Sequence, residues 1–115
     1  MNALILKPTQ GEPVYDEAAG VFQAMYEKIT GVRLAICEED DGVSDLFVIG
    51  SDAVNDFVMN EMFEQRLPGF GIRYGTDDYA IRSCTVGTRK VVYLAGGRGR
   101  STLYAVYDYF ERYAG

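Results

Sequence analysis

Apolar residues recur along this chain with two different spacings, and the spacings divide it into elements. Residues 2 to 6 (Asn-Ala-Leu-Ile-Leu) form a short apolar run suited to a strand. Lys7 to Pro13 carries Pro, Thr, Gly and Pro, the chemistry of a loop. Val14, Ala18, Val21, Phe22, Met25 and Ile29 then fall on one helical face, with Asp16, Glu17, Glu27 and Lys28 mostly opposite. Pro13 suits a first helical turn, and Gly31 stands where a C-terminal cap favours positive φ. The spacing predicts a helix over 14–30.

Val32, Leu34 and Ile36 alternate with Arg33, Ala35 and Cys37, which predicts a strand. Glu38 to Gly42 reads as an acidic turn. Leu46-Phe47-Val48-Ile49 is continuously apolar, as in an interior strand buried on both faces. Gly50-Ser51-Asp52 ends it and offers helix caps. Val54, Phe57, Val58, Met62 and Phe63 predict a second, shorter helix, and Leu67 to Tyr74 reads as loop. Tyr79 to Cys84 and Lys90 to Ala95 read as a hairpin turning through Val86 to Arg89. A last helix, about 101–113, shows Leu103, Val106, Tyr107, Phe110 and Ala114 on one stripe, with Tyr104, Asp108, Glu111 and Arg112 opposite. The expected architecture is one α+β two-layer domain over 1–115. Two main helices and a shorter third pack on a mixed sheet of four to five strands. The β-α crossovers require some parallel pairing.

Composition narrows the function classes. A chain of 115 residues, 48% hydrophobic, supports one packed domain and argues against disorder. Net charge −6 with only three lysines disfavours nucleic acid, which needs clustered basic residues. No apolar run reaches the ~20 residues of a membrane span, and Met1 to Leu6 is too short for a signal peptide. There is no histidine, which removes Ser-His and Cys-His catalysis and the commonest zinc ligand. Cys37 and Cys84 allow at most one disulfide and read first as small apolar core residues. No cofactor or metal is expected.

Three features carry candidate chemistry. Gly96-Gly97-Arg98-Gly99 follows a strand and opens a helix, the position of a phosphate cradle. A dinucleotide fingerprint would need glycine where Thr102 stands, and a Walker loop would need a lysine, so a tight turn with close backbone approach fits better. Ser101 and Thr102 read as helix-start residues. The acidic pairs Glu38-Glu39, Asp40-Asp41 and Asp77-Asp78 could meet the carboxyl spacing of a glycosidase, about 5 to 9.5 Å, by chance alone. They read as solvated turn residues, and no twelve-residue calcium loop is present. Among the tyrosines of the last helix, Tyr107 is assigned with Phe110 to the core. Tyr104, Tyr109 and Tyr113, with Arg98 and Arg100, are the candidate ligand or interface residues.

Two segments resemble the N-terminal α/β domain that precedes the catalytic barrel in α-glucuronidases, β-N-acetylhexosaminidases and related bacterial glycoside hydrolases. The first is Ala18-Ala19 with Tyr26 to Leu34, similar to that family's first helix and its Ile-Thr-Gly ending. The second is Leu94 to Gly97 with Thr102 to Glu111, similar to its glycine-rich turn and Thr-Leu-Tyr helix. Phe47 to Gly50 and Asp77 to Ile81 occupy the intervening strand positions, so the likeness spans most of the chain. Family members carry glycine where Ser101 stands here. The resemblance implies a non-catalytic accessory domain that contributes no catalytic residue. Its partner would be a barrel of about 250 residues in the same parent chain. A free-standing module binding a glycan or a protein is the alternative, with a nucleotide at Gly96–Gly99 a weaker one. The sequence does not fix the compartment; a periplasmic or secreted parent agrees with the resemblance.

Overall fold

The computed structural model describes residues 2–9, 11–64 and 67–113. The order of elements is β1 (Ala3–Leu6), α1 (Pro13–Thr30), β2 (Ala35–Cys37), β3 (Asp45–Ile49), α2 (Asp56–Phe63), β4 (Tyr79–Val86), β5 (Arg89–Gly96) and α3 (Gly99–Tyr113). The strands form one mixed sheet in the order β2-β1-β3-β5-β4. β1 pairs in parallel with β2 and β3, and β3 with β5; β4 returns antiparallel along β5. The expected α+β fold with a mixed sheet and three helices is therefore the observed one.

Strand alternation sorts the core into two clusters. Ile5, Phe47, Ile49, Val92 and Leu94 face α1 and α3, where they meet Ala18, Ala19, Phe22, Ala105, Val106 and Phe110. Phe22 is the hub, with its ring centroid 4.7 Å from Phe47 and 4.8 Å from Phe110. Leu6, Leu46, Val48, Val91 and Tyr93 face the opposite way, toward Val58 of α2 and toward Leu67 and Phe70. The sheet and the α1–α3 pair are the two main layers, and α2 with the segment after it covers the second face. The continuous apolar run of β3 is explained, since a central strand is buried from both sides.

Several side chains lie on the other side from the one expected. On α1 the buried stripe is Tyr15, Ala18, Ala19 and Phe22, whereas Ile29 is 49% exposed because the last turn runs past the sheet. On α2 the inward residues are Val58 and Glu61, and Phe63 points outward. On α3 the buried set is Ser101, Thr102, Ala105, Val106 and Phe110; Tyr107, assigned to the core from sequence, is 48% exposed. The stripe that meets the sheet is rotated by one residue, because the small residues at the start of α3 make the close contact. Ala114, placed on that stripe, lies outside the described residues. The strand expected over 32–37 shrinks to Ala35–Cys37, with Leu34 still buried.

Candidate functional site

The glycine turn is a socket for another part of the same chain. A Cβ on Gly96 would lie 2.3 Å from the Thr102 amide nitrogen, and one on Gly97 would lie 2.2 Å from the Arg73 carbonyl oxygen. A Cβ on Gly99 would lie 2.1 Å from Val14 Cγ1, so this glycine brings the start of α3 against the start of α1. None of the three has the positive φ of a left-handed turn. Gly96 and Gly97 are glycines because backbone approaches backbone, as the sequence reading preferred, and Gly99 because the Val14 side chain packs on its Cα.

Residues 73–78 fill this socket. The Gly97 amide donates to Asp78 O at 2.8 Å, and Gly75 N donates to Gly97 O at 2.7 Å. Ser101 Oγ accepts from Arg98 N and lies 3.2 Å from Thr76 O; the Thr102 hydroxyl donates to Arg98 O at 3.0 Å. Both residues thus tie down the start of the helix, as expected. The Gly97 and Arg98 amides, which a phosphate cradle would aim at its anion, are engaged internally. Asp77 supplies the anion: Arg98 Nε donates to its Oδ1 at 2.8 Å, and Arg100 donates to Oδ2 at 2.8 Å. These two guanidinium groups hold the Asp77 carboxyl far below the usual carboxylate range. Asp78 is lowered to about 2 by Arg73, whose side chain and amide both donate to it.

In the other acidic turn Glu38, Glu39 and Asp41 are exposed, as expected, while Asp40 is half-buried, and both aspartates are also bonded internally. Asp41 accepts from the amides of Val43 and Ser44 and from the Ser44 hydroxyl, and its pKa falls to about 2. Asp40 forms a two-pronged pair with Arg89, which also donates to Ser44 O at 2.8 Å. That guanidinium staples the β2–β3 turn to the start of β5 and lowers the Asp40 pKa. Among the described residues no group of three or more acids or cysteines is placed to hold a metal ion.

The candidate tyrosines separate in space. Tyr109 is half-buried against Phe22, Phe47 and Phe110, and burial raises its pKa. The Tyr113 ring lies tilted against it, 5.2 Å away, and is 65% exposed. With Tyr26 and Ile29 they line an apolar cleft of about 190 Å³ between the last turns of α1 and α3. Tyr104 and Tyr107 stand exposed on α3, and Tyr79 of β4 reaches the same helix, its hydroxyl donating to Asp108 at 3.0 Å. Arg98 and Arg100 lie at the other end of the same helix.

Sequence reasoning missed a second region, at the carboxyl ends of β1 and β3, where the connections leave the sheet in opposite directions. That is the place where open α/β sheets often bind ligands. Here Asn55, buried, closes it: its Nδ2 donates to Ile49 O at 2.9 Å and Leu6 O at 3.4 Å, and its Oδ1 caps Phe57 N. Asn immediately before an apolar helical run was the available signal. Beside it lies a cleft of about 280 Å³ whose walls include Glu38, Glu39, Asp56 and Phe57. Cys37 and Cys84 are free thiols on the two opposite edge strands, both half-buried; Cys84 packs against the core cluster of Val91 and Tyr93.

Among the described residues no helix is long and apolar enough to cross a membrane. The chain matches no protein-family model and no curated protein sequence.

Proposed function

We propose that this domain is a non-catalytic scaffold of a carbohydrate-active enzyme, of the α-glucuronidase or hexosaminidase type, that supports a catalytic barrel elsewhere in the same parent chain. The observation that carries the reading is the division of labour along α3. Its first turn is locked by Gly97, Asp77 and Asp78, while its outer side and last turn present Tyr104, Tyr107 and Tyr113 to solvent. A helix held rigidly at one end and rich in exposed tyrosine suits a domain contact, since tyrosine buries its ring while its hydroxyl stays hydrogen-bonded. The absence of histidine and the internal pairing of Asp40, Asp41, Asp77 and Asp78 support a role without chemistry of its own.

The test is direct. The 115-residue chain should hydrolyse no aryl glycoside, and its natural reading frame should continue into an α/β barrel. Turnover by the isolated domain would overturn the reading. The same exposed tyrosines also support a second reading, a free-standing module that binds glycan or protein. Calorimetry with a panel of oligosaccharides separates the two: heat that fits a binding isotherm favours the module. Nucleotide binding at Gly96–Gly99 is the weakest reading, since Asp77 already holds the arginines there.

A further inference from the structure

We propose that the outward side of α2 is a docking surface for a basic polypeptide segment carrying an apolar anchor. The surface lies on the face of the sheet opposite α3, so it goes beyond the scaffold role and does not depend on it. Its centre is Met59 and Phe63, one helical turn apart and therefore side by side. Met59 is 48% exposed and Phe63 is 84% exposed. Phe63 has the highest exposure among the large apolar side chains of the described residues. Adjacent exposed apolar side chains rimmed by polar ones are the composition of an interaction site.

Charge identifies the occupant. The helix Asp56–Phe63 contains no lysine or arginine, and Asp56 and Asn60 flank the apolar pair. Glu38 and Glu39 stand across the adjoining cleft, which Asp56, Phe57 and Asn60 share. Among the described residues, the cations near this cleft are already engaged: Lys7 is paired with Asp16 and Glu38, and Arg89 with Asp40; Arg66, three residues beyond Phe63, lies outside the described residues. Among the described residues no cation pairs with Glu39 or Asp56. Among the described residues the patch is thus apolar in the middle and negative on the side of the cleft. A second copy would set Asp56 and Glu39 against carboxylates like themselves, and anionic lipid or nucleic acid would be repelled. A segment with lysine or arginine around one aliphatic or aromatic residue satisfies both parts of the patch.

The experiment uses two fluorescent helical peptides of identical leucine pattern, one with lysine and one with glutamate at the polar positions. Binding to the 115-residue protein is followed by anisotropy. The lysine peptide should bind and the glutamate peptide should not. Met59→Ser with Phe63→Ser should weaken binding at least ~10-fold without changing the protein's charge. Tyr104→Ser with Tyr107→Ser should leave binding unchanged. Glu39→Gln should weaken binding and flatten its salt dependence between about 0.05 and 0.3 M. Circular dichroism melts should show both serine double variants folded, because all four side chains are exposed. No binding of the lysine peptide, equal binding of both peptides, or a loss caused by the α3 substitutions in place of the α2 ones would overturn the proposal. The scaffold reading would stand in each of those cases, since its own test is glycoside turnover and the downstream reading frame.

Discussion

Gly97 and Arg73 meet backbone to backbone: a Cβ on the glycine would sit 2.2 Å from the arginine's carbonyl oxygen, and 2.8 Å from that of Thr76. Neither carbonyl can retreat easily, since Thr76 Oγ1 bonds Arg73 O and Ser101 bonds Thr76 O. Gly97→Ala should therefore cost about 3 kcal/mol and lower the melting temperature by more than ~10 °C. Gly87→Ala, at a hairpin turn with φ of 65° and open space around it, should cost about 1 kcal/mol from backbone strain alone. Thermal melts of the two variants rank the effects, and equal losses would refute the socket.

Arg89 joins two elements that local interactions do not. Its side chain is 13% exposed and that of its partner Asp40 22%. Arg89→Met should cost about 2 kcal/mol, because it strands a half-buried carboxylate and frees the Ser44 carbonyl. Lys90→Met, one residue along and exposed, should change little. Urea midpoints read the difference, and a neutral Arg89→Met would show that the staple contributes nothing to stability.

Stability should depend on pH in one direction at the acid end. Asp40, Asp41, Asp77 and Asp78 all have folded pKa values below those of the unfolded chain. The unfolded chain then binds more protons as pH falls below about 4, so their contribution is complete above that value. It is lost as pH falls through the folded values, about 2 for Asp41 and Asp78. Tyr74 behaves in the opposite sense. Asp52 pushes its pKa up to about 12, so its contribution holds below the unfolded tyrosine value near 10 and fades above it. With no histidine, the melting temperature should be nearly flat between about pH 5 and 8. Asp77→Asn and Asp78→Asn should each make the acid limb shallower, and an unchanged limb would assign acid unfolding to other groups.

The thiols give an independent check on topology. Cys37 and Cys84 lie on opposite edge strands, so they cannot bridge within one molecule. Mild oxidation should leave the monomer's electrophoretic mobility unchanged, with both thiols still titratable. Burial raises the Cys84 pKa, so Cys84 should react slowly with a thiol-specific disulfide reagent at neutral pH. An intramolecular disulfide would contradict the strand order.

The sequence by itself determined the order of elements, the double burial of Leu46 to Ile49, the hairpin through Gly87 and the absence of histidine chemistry. Those features are written in local periodicity and composition, which each segment carries alone. It also preferred a tight turn to a phosphate cradle at Gly96–Gly99, because the motif lacked its third glycine and its lysine. Only the tertiary structure decided what the turn receives, which way Tyr107, Ile29 and Phe63 face, and why Asp40 and Asp77 are not free acids. Asp77 meets Arg98 across 21 residues and Asp40 meets Arg89 across 49. No local pattern encodes such partners: they arise when the sheet order brings distant turns together, and they absorb the charges that a linear reading leaves in solvent.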